Sequence, residues 1–116
     1  MKVIITGSRE IAAINVSEAV TASGFSGSIK EVVSGGSGGA SMAGEEWAAL
    51  SRIPVKVFPA NWERFGKSAD LKRNEQMADY ADALVIIWNG RSTGIRSMRD
   101  TALRHGLKVY VHTVAK

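Results

Sequence analysis

The chain has 116 residues, 45% of them hydrophobic, and no cysteine, which describes one domain able to bury a core and excludes disulfides, thiolate metal sites and cysteine nucleophiles. No apolar run reaches membrane-span length and no leader segment is readable, so a cytoplasmic protein without membrane contact is expected. The formal charge of +4 is uneven, with three basic and five acidic side chains in residues 1–50 against twelve and six in residues 51–116; a basic second half suits an anionic ligand or nucleic acid, or is simply a solvated surface.

Lys2-Val3-Ile4-Ile5-Thr6 is a β-branched run that reads as a buried strand ending in the polar turn Gly7-Ser8-Arg9-Glu10. Arg9 is either a clamp for phosphate or carboxylate or a solvated loop arginine. Val16, Ala19, Val20 and Ser23 then fall at helical spacing, with Gly24 in the C-cap position. Glu31-Val32-Val33 is the second strand, and it runs into Ser34-Gly35-Gly36-Ser37-Gly38-Gly39-Ala40 ahead of a helix over 41–51. Backbone that rich in glycine can turn its N–H groups toward a ligand, and the following helix points its positive end at the same place, which suits phosphate. The spacing matches neither the Walker loop nor the dinucleotide fingerprint. Ala43, Trp47 and Leu50 share one face of the helix, so Trp47 reads as core.

Pro54-Val55-Lys56-Val57-Phe58 is the third strand, and residues 59–68 form the longest loop, carrying Trp62, Phe65, Arg64 and Lys67. Trp62 lies on no periodic stripe and either stacks on a base or seals the sheet edge. A helix over 69–80 turns Asn74, Met77, Ala78 and Ala81 inward. Ala83-Leu84-Val85-Ile86-Ile87-Trp88, the most continuously apolar run, is expected as a central strand covered on both faces. It leads to a second glycine-bearing loop, Asn89-Gly90-Arg91-Ser92-Thr93-Gly94, then a helix over 95–104 and a last strand, Leu107-Lys108-Val109-Tyr110-Val111-His112. The two histidines share no ligand spacing, so no metal is expected. The pattern βαβαβαβαβ predicts the α/β class: a Rossmann-like doubly wound sheet of about five parallel strands with helices on both faces. Its ligand crevice lies at the C-terminal strand ends, where the loops at 7–10, 34–39 and 89–94 meet.

The turn at Gly7-Ser8-Arg9-Glu10, the loop Ser34-Gly35-Gly36-Ser37-Gly38-Gly39-Ala40 with Gly44-Glu45, then Gly66-Lys67, Arg73-Asn74, Met77, Ala81-Asp82-Ala83 and Gly90-Arg91-Ser92-Thr93-Gly94, together resemble the YspA/YpsA-related branch of the SLOG superfamily. The resemblance spans almost the whole chain and implies a Rossmann-like fold and a nucleotide-type ligand. The superfamily includes the LOG (lonely guy) phosphoribohydrolases and the DNA-processing protein A family, its members are often dimers or larger, and small standalone copies are frequent in phages. For a phage-borne copy this implies a sponge that sequesters a host immune nucleotide signal, such as a cyclic nucleotide or an ADP-ribose derivative. LOG enzymes pair an arginine with a glutamate in a Pro-Gly-Gly-x-Gly-Thr-x-x-Glu loop. Arg73 falls on the arginine, and Met77 and Asp82 keep the spacing, but Arg96 or Met98 stands where the glutamate belongs, and neither is a general base. Relatives also carry aspartate where this chain has Ser41 and threonine where it has Ile95.

Three functions follow as expectations. The first is binding of a phosphate-bearing nucleotide without turnover and without a cofactor. In it, Gly35, Gly36, Ser37, Gly38 and Gly39 face Asn89, Gly90, Ser92, Thr93 and Gly94 around phosphate, Arg9, Lys67 and Arg73 supply charge, and Gly7, Ser8, Ser34, Glu45, Trp62 and Asn74 complete the crevice. The second is a phosphoribohydrolase with Arg73 and Glu45 as its catalytic pair. The third is single-stranded DNA binding through Trp62, Phe65, Lys67, Lys72 and Arg73. Apolar residues left over on helix faces add the expectation of a homo-oligomer.

Overall fold

The computed structural model describes residues 1–8, 11–35, 40–88 and 95–114, excepting the side chains of Ala40, Ser41, Trp62 and Ile95. Five strands, β1 (Lys2–Gly7), β2 (Glu31–Ser34), β3 (Val55–Val57), β4 (Ala83–Trp88) and β5 (Lys108–Thr113), form one sheet in the order β3-β2-β1-β4-β5. All four pairings are parallel, which gives the expected α/β, Rossmann-like architecture. The helices are α1 (Ala13–Ser23), α2 (Ala40–Leu50), α3 (Trp62–Phe65), α4 (Ala69–Tyr80) and α5 (Ile95–Arg104). Among the described residues, no helix is long and apolar enough to cross a membrane.

The two-residue period of a strand sorts the core into two layers. Val3, Ile5, Val32, Val85 and Ile87 point to the face covered by α1 and α2, where Val16, Val20, Ala43 and Ala48 meet them. Ile4, Val33, Leu84 and Ile86 point to the face covered by α4 and α5, against Met77, Ala78, Met98 and Ala102. The apolar run 83–87 is fully buried, as a strand sandwiched between helices must be. It lies one place from the edge, however, and the central strand is β1. The inward face expected for α4 is present: Asn74, Met77, Ala78 and Ala81 are all buried. Trp47 packs half-buried against the first layer.

The expected long loop over 59–68 is mostly helical, comprising α3 and a 3-10 turn at Gly66–Ser68. The side chain of Asn61 accepts a hydrogen bond from the Arg64 N–H at 3.1 Å, which caps a segment too short for hydrophobic periodicity to reveal. The first helix also begins three residues earlier than its apolar stripe, at Ala13, where Asn15 accepts a bond from the Ala12 N–H at 3.1 Å.

The last turns of α4 and α5 are joined by a charged cluster. His105 lies 2.6 Å from Glu75 through Nε2 and 3.0 Å from Asp79 through Nδ1, while Arg104 reaches Glu75 at 3.0 Å. The hydrogen bond from His105 holds the Glu75 carboxyl below its ordinary 4.5, with Arg104 adding to the effect. A carboxyl depressed by folding stabilises the fold above its unfolded pKa, and that contribution is lost as pH falls through the lowered value. The urea midpoints of the native protein and Glu75→Gln are therefore expected to differ more near pH 7 than near about pH 3; an equal difference at both would contradict the link.

Candidate functional site

Strand order reverses between β1 and β4, because the chain builds outward from β1 first through β2 and β3 and then through β4 and β5. In such sheets ligands sit outside the C-terminal strand ends at that reversal. Here the backbones of the two strands pack tightly at their ends. The Ser8 N–H donates to the Ile87 carbonyl at 2.9 Å. Gly7 has φ +154°, and a Cβ at that position would lie 1.9 Å from the Ile87 carbonyl oxygen. Gly7 is thus required by the backbone packing of β1 on β4, and Ser8 is buried beside it.

One strand over, the end of β2 gathers four of the expected residues, Ser34, Gly35, Glu45 and Arg73. Ser34, 1% exposed, donates from Oγ to a Glu45 carboxylate oxygen at 2.7 Å. The bond ties α2 to β2 and engages the carboxylate that the enzyme reading needs as a base. Next to it, Arg73 donates from one terminal nitrogen to the Gly35 carbonyl at 3.2 Å and from the other to Asp70 at 3.0 Å. A Cβ on Gly35 would come within 3.2 Å of the arginine's Cδ and Nε, so glycine lets the side chain approach the backbone closely. The Arg73 side chain is 14% exposed, and its Nε is buried with no hydrogen-bond partner among the described residues.

Asn74, one residue further along α4, is buried and reaches Ser97 of α5 at 3.4 Å. This contact links the two helices on that face. Lys67 is exposed in the 3-10 turn. Arg9, residues 36–39, residues 89–94 and the Trp62 side chain lie outside the described residues, and with them the glycine loops expected to cradle phosphate. Met98 is 4% exposed within the core and Arg96 is exposed.

A cleft opens beside Arg73, built by the 59–65 segment whose helical turn carries no periodic signal in the sequence. It is an open cleft of about 650 Å³ between the Pro59 to Phe65 segment and α4, and Arg64, Lys72 and Arg73 all line it. Asp70, which steadies Arg73, also went unremarked, although its three-residue spacing on a helix is a readable signal. Among the described residues no group of three or more histidines and carboxylates could hold a metal ion. No family model matches this chain, and neither a curated protein nor a solved structure does.

Proposed function

We propose that this protein binds and retains a nucleotide-derived, phosphate-bearing small molecule without hydrolysing it, in the manner of a protein that sequesters a signalling nucleotide. The observation that carries the reading is Arg73: a largely buried guanidinium bonded to the Gly35 carbonyl at the C-terminal end of β2, one strand from the reversal at which a doubly wound sheet receives ligands. A planar cation held on both sides needs little reorganisation to donate to phosphate oxygens. Two facts support retention over turnover. Met98 is sealed in the core and Arg96 is cationic, so neither position offers a base, and Glu45 is engaged by Ser34.

The test is to incubate the purified protein with a panel of nucleotides, remove free ligand, denature the protein with heat and separate what is released. Recovery of an intact nucleotide is expected. A free base alongside a ribose phosphate would show a phosphoribohydrolase instead, and would overturn the reading. Retention is also expected to survive a rise from about 0.1 to 0.5 M salt, since only a polyanion held through many phosphates shows a steep salt slope.

A further inference from the structure

We infer that the ligand carries two linked phosphoryl groups, as in a nucleoside diphosphate, with the first at the strand ends and the second in the neighbouring cleft. The inference rests on the nucleotide-binding reading above and narrows its ligand class.

The cleft is asymmetric in charge. Arg64, Lys72 and Arg73 line it against one carboxylate, Glu63. Arg73 is already paired with Asp70, and elsewhere Arg104 is paired with Glu75. Among the described residues, Arg64 and Lys72 have no such carboxylate partner within 4.0 Å. Both instead gather at the ring of Phe65, the guanidinium carbon of Arg64 5.2 Å and the ammonium of Lys72 5.9 Å from its centroid. A ring contact of this kind orients each cation without neutralising it. A bound anion supplies the counter-charge that the ring does not.

Arg73 joins the two places. The same side chain that lies on Gly35 at the rim lines the cleft with Arg64 and Lys72. A phosphoryl group on Arg73 at the rim therefore has Arg64 and Lys72 ahead of it, on the cleft side. The volume of about 650 Å³ is far larger than one phosphate and falls within the usual range of small-molecule sites. Pro59, Ala60 and Phe65 supply apolar wall for whatever the second phosphoryl group bears.

The experiment compares AMP and ADP by calorimetric titration of the native protein, of the double variant Arg64→Ala/Lys72→Ala, and of a charge-matched control, Lys30→Ala/Lys108→Ala. Both pairs are exposed, and circular dichroism checks that each variant folds. The native protein is expected to prefer ADP by about tenfold or more, the scale of a charge-assisted contact to one further phosphate. The preference is expected to fall to about twofold or less in the Arg64/Lys72 variant and to persist in the control. Equal affinity for AMP and ADP in the native protein, or a preference that survives loss of Arg64 and Lys72, would overturn the second subsite and leave nucleotide binding standing. Loss of the preference in the control as well would assign it to general charge and overturn the subsite too. Failure of the native protein to bind either nucleotide, or any other in the panel, would remove both readings together.

Discussion

Replacing Arg73 with alanine is expected to weaken nucleotide binding by about 10- to 100-fold, because a hydrogen bond from a charged donor is worth about 1.5–3 kcal/mol and each 1.4 kcal/mol is a factor of ten. The side chain is held in place by the Gly35 carbonyl and by Asp70, so its orientation does not have to be gained on binding. Lysine is expected to recover only part of the loss, since an ammonium keeps the charge but lacks the planar fork. Folding must be followed alongside binding. Gly35 is buried, and leaving its carbonyl without the arginine costs about 1–3 kcal/mol. The ion pair with Asp70 adds little, because that carboxylate is 55% exposed. Affinity should therefore be measured well below the melting temperature of the variant. Unchanged affinity in a folded Arg73→Ala protein would take away the main support for the site.

Replacing Gly7 with alanine is expected to be among the most damaging single changes to stability. The new methyl carbon would stand 1.9 Å from the Ile87 carbonyl oxygen, at φ +154°, a backbone conformation that residues with a Cβ rarely adopt. Ile87 is itself 0% exposed and fixed by neighbouring strands on both sides, so the clash cannot be absorbed by a side-chain rotation. Either β1 withdraws from β4 or the turn into Ser8 is rebuilt. A cost of about 3–5 kcal/mol follows from such overpacking and strain, which for a domain of this size lowers the melting temperature by about 10–20 °C. A shift under about 3 °C would show that the strand ends can relax and that Gly7 is not demanded by packing.

What was legible in the sequence followed from periodicity and burial. The consecutive β-branched residues at 3–6 and the unbroken apolar run at 83–88 specified strands covered on both faces, and the stripe through Asn74, Met77 and Ala78 specified the buried side of α4. The alternation of strand and helix then left few topologies open. The 62–68 segment was not legible, because four helical residues and a 3-10 turn carry no repeat, and their start is set by a single Asn61 cap. Ala13 and Ile14, at the start of α1, lie ahead of that helix's stripe and were missed for a similar reason.

The candidate site was legible as a list of residues and not as an arrangement. Arg73 could be singled out by its resemblance to a motif arginine, but its partner on Gly35 is 38 residues away and depends on how α4 crosses the end of β2. Glu45 could be placed one turn after the glycine loop, yet its engagement by Ser34 comes from α2 packing on β2. The cleft needed the helical form of 62–65 before Arg64, Phe65 and Lys72 could be seen to meet. Gly7 was read as part of a ligand turn, whereas its geometry answers first to the Ile87 carbonyl.

The most direct measurement is a crystal structure of the protein with the nucleotide it retains. The account predicts an intact molecule over the C-terminal ends of β1 and β2, with phosphate oxygens at hydrogen-bonding distance from the Arg73 guanidinium. A ligand seated away from Arg73, or electron density for a separated base and ribose phosphate, would contradict it.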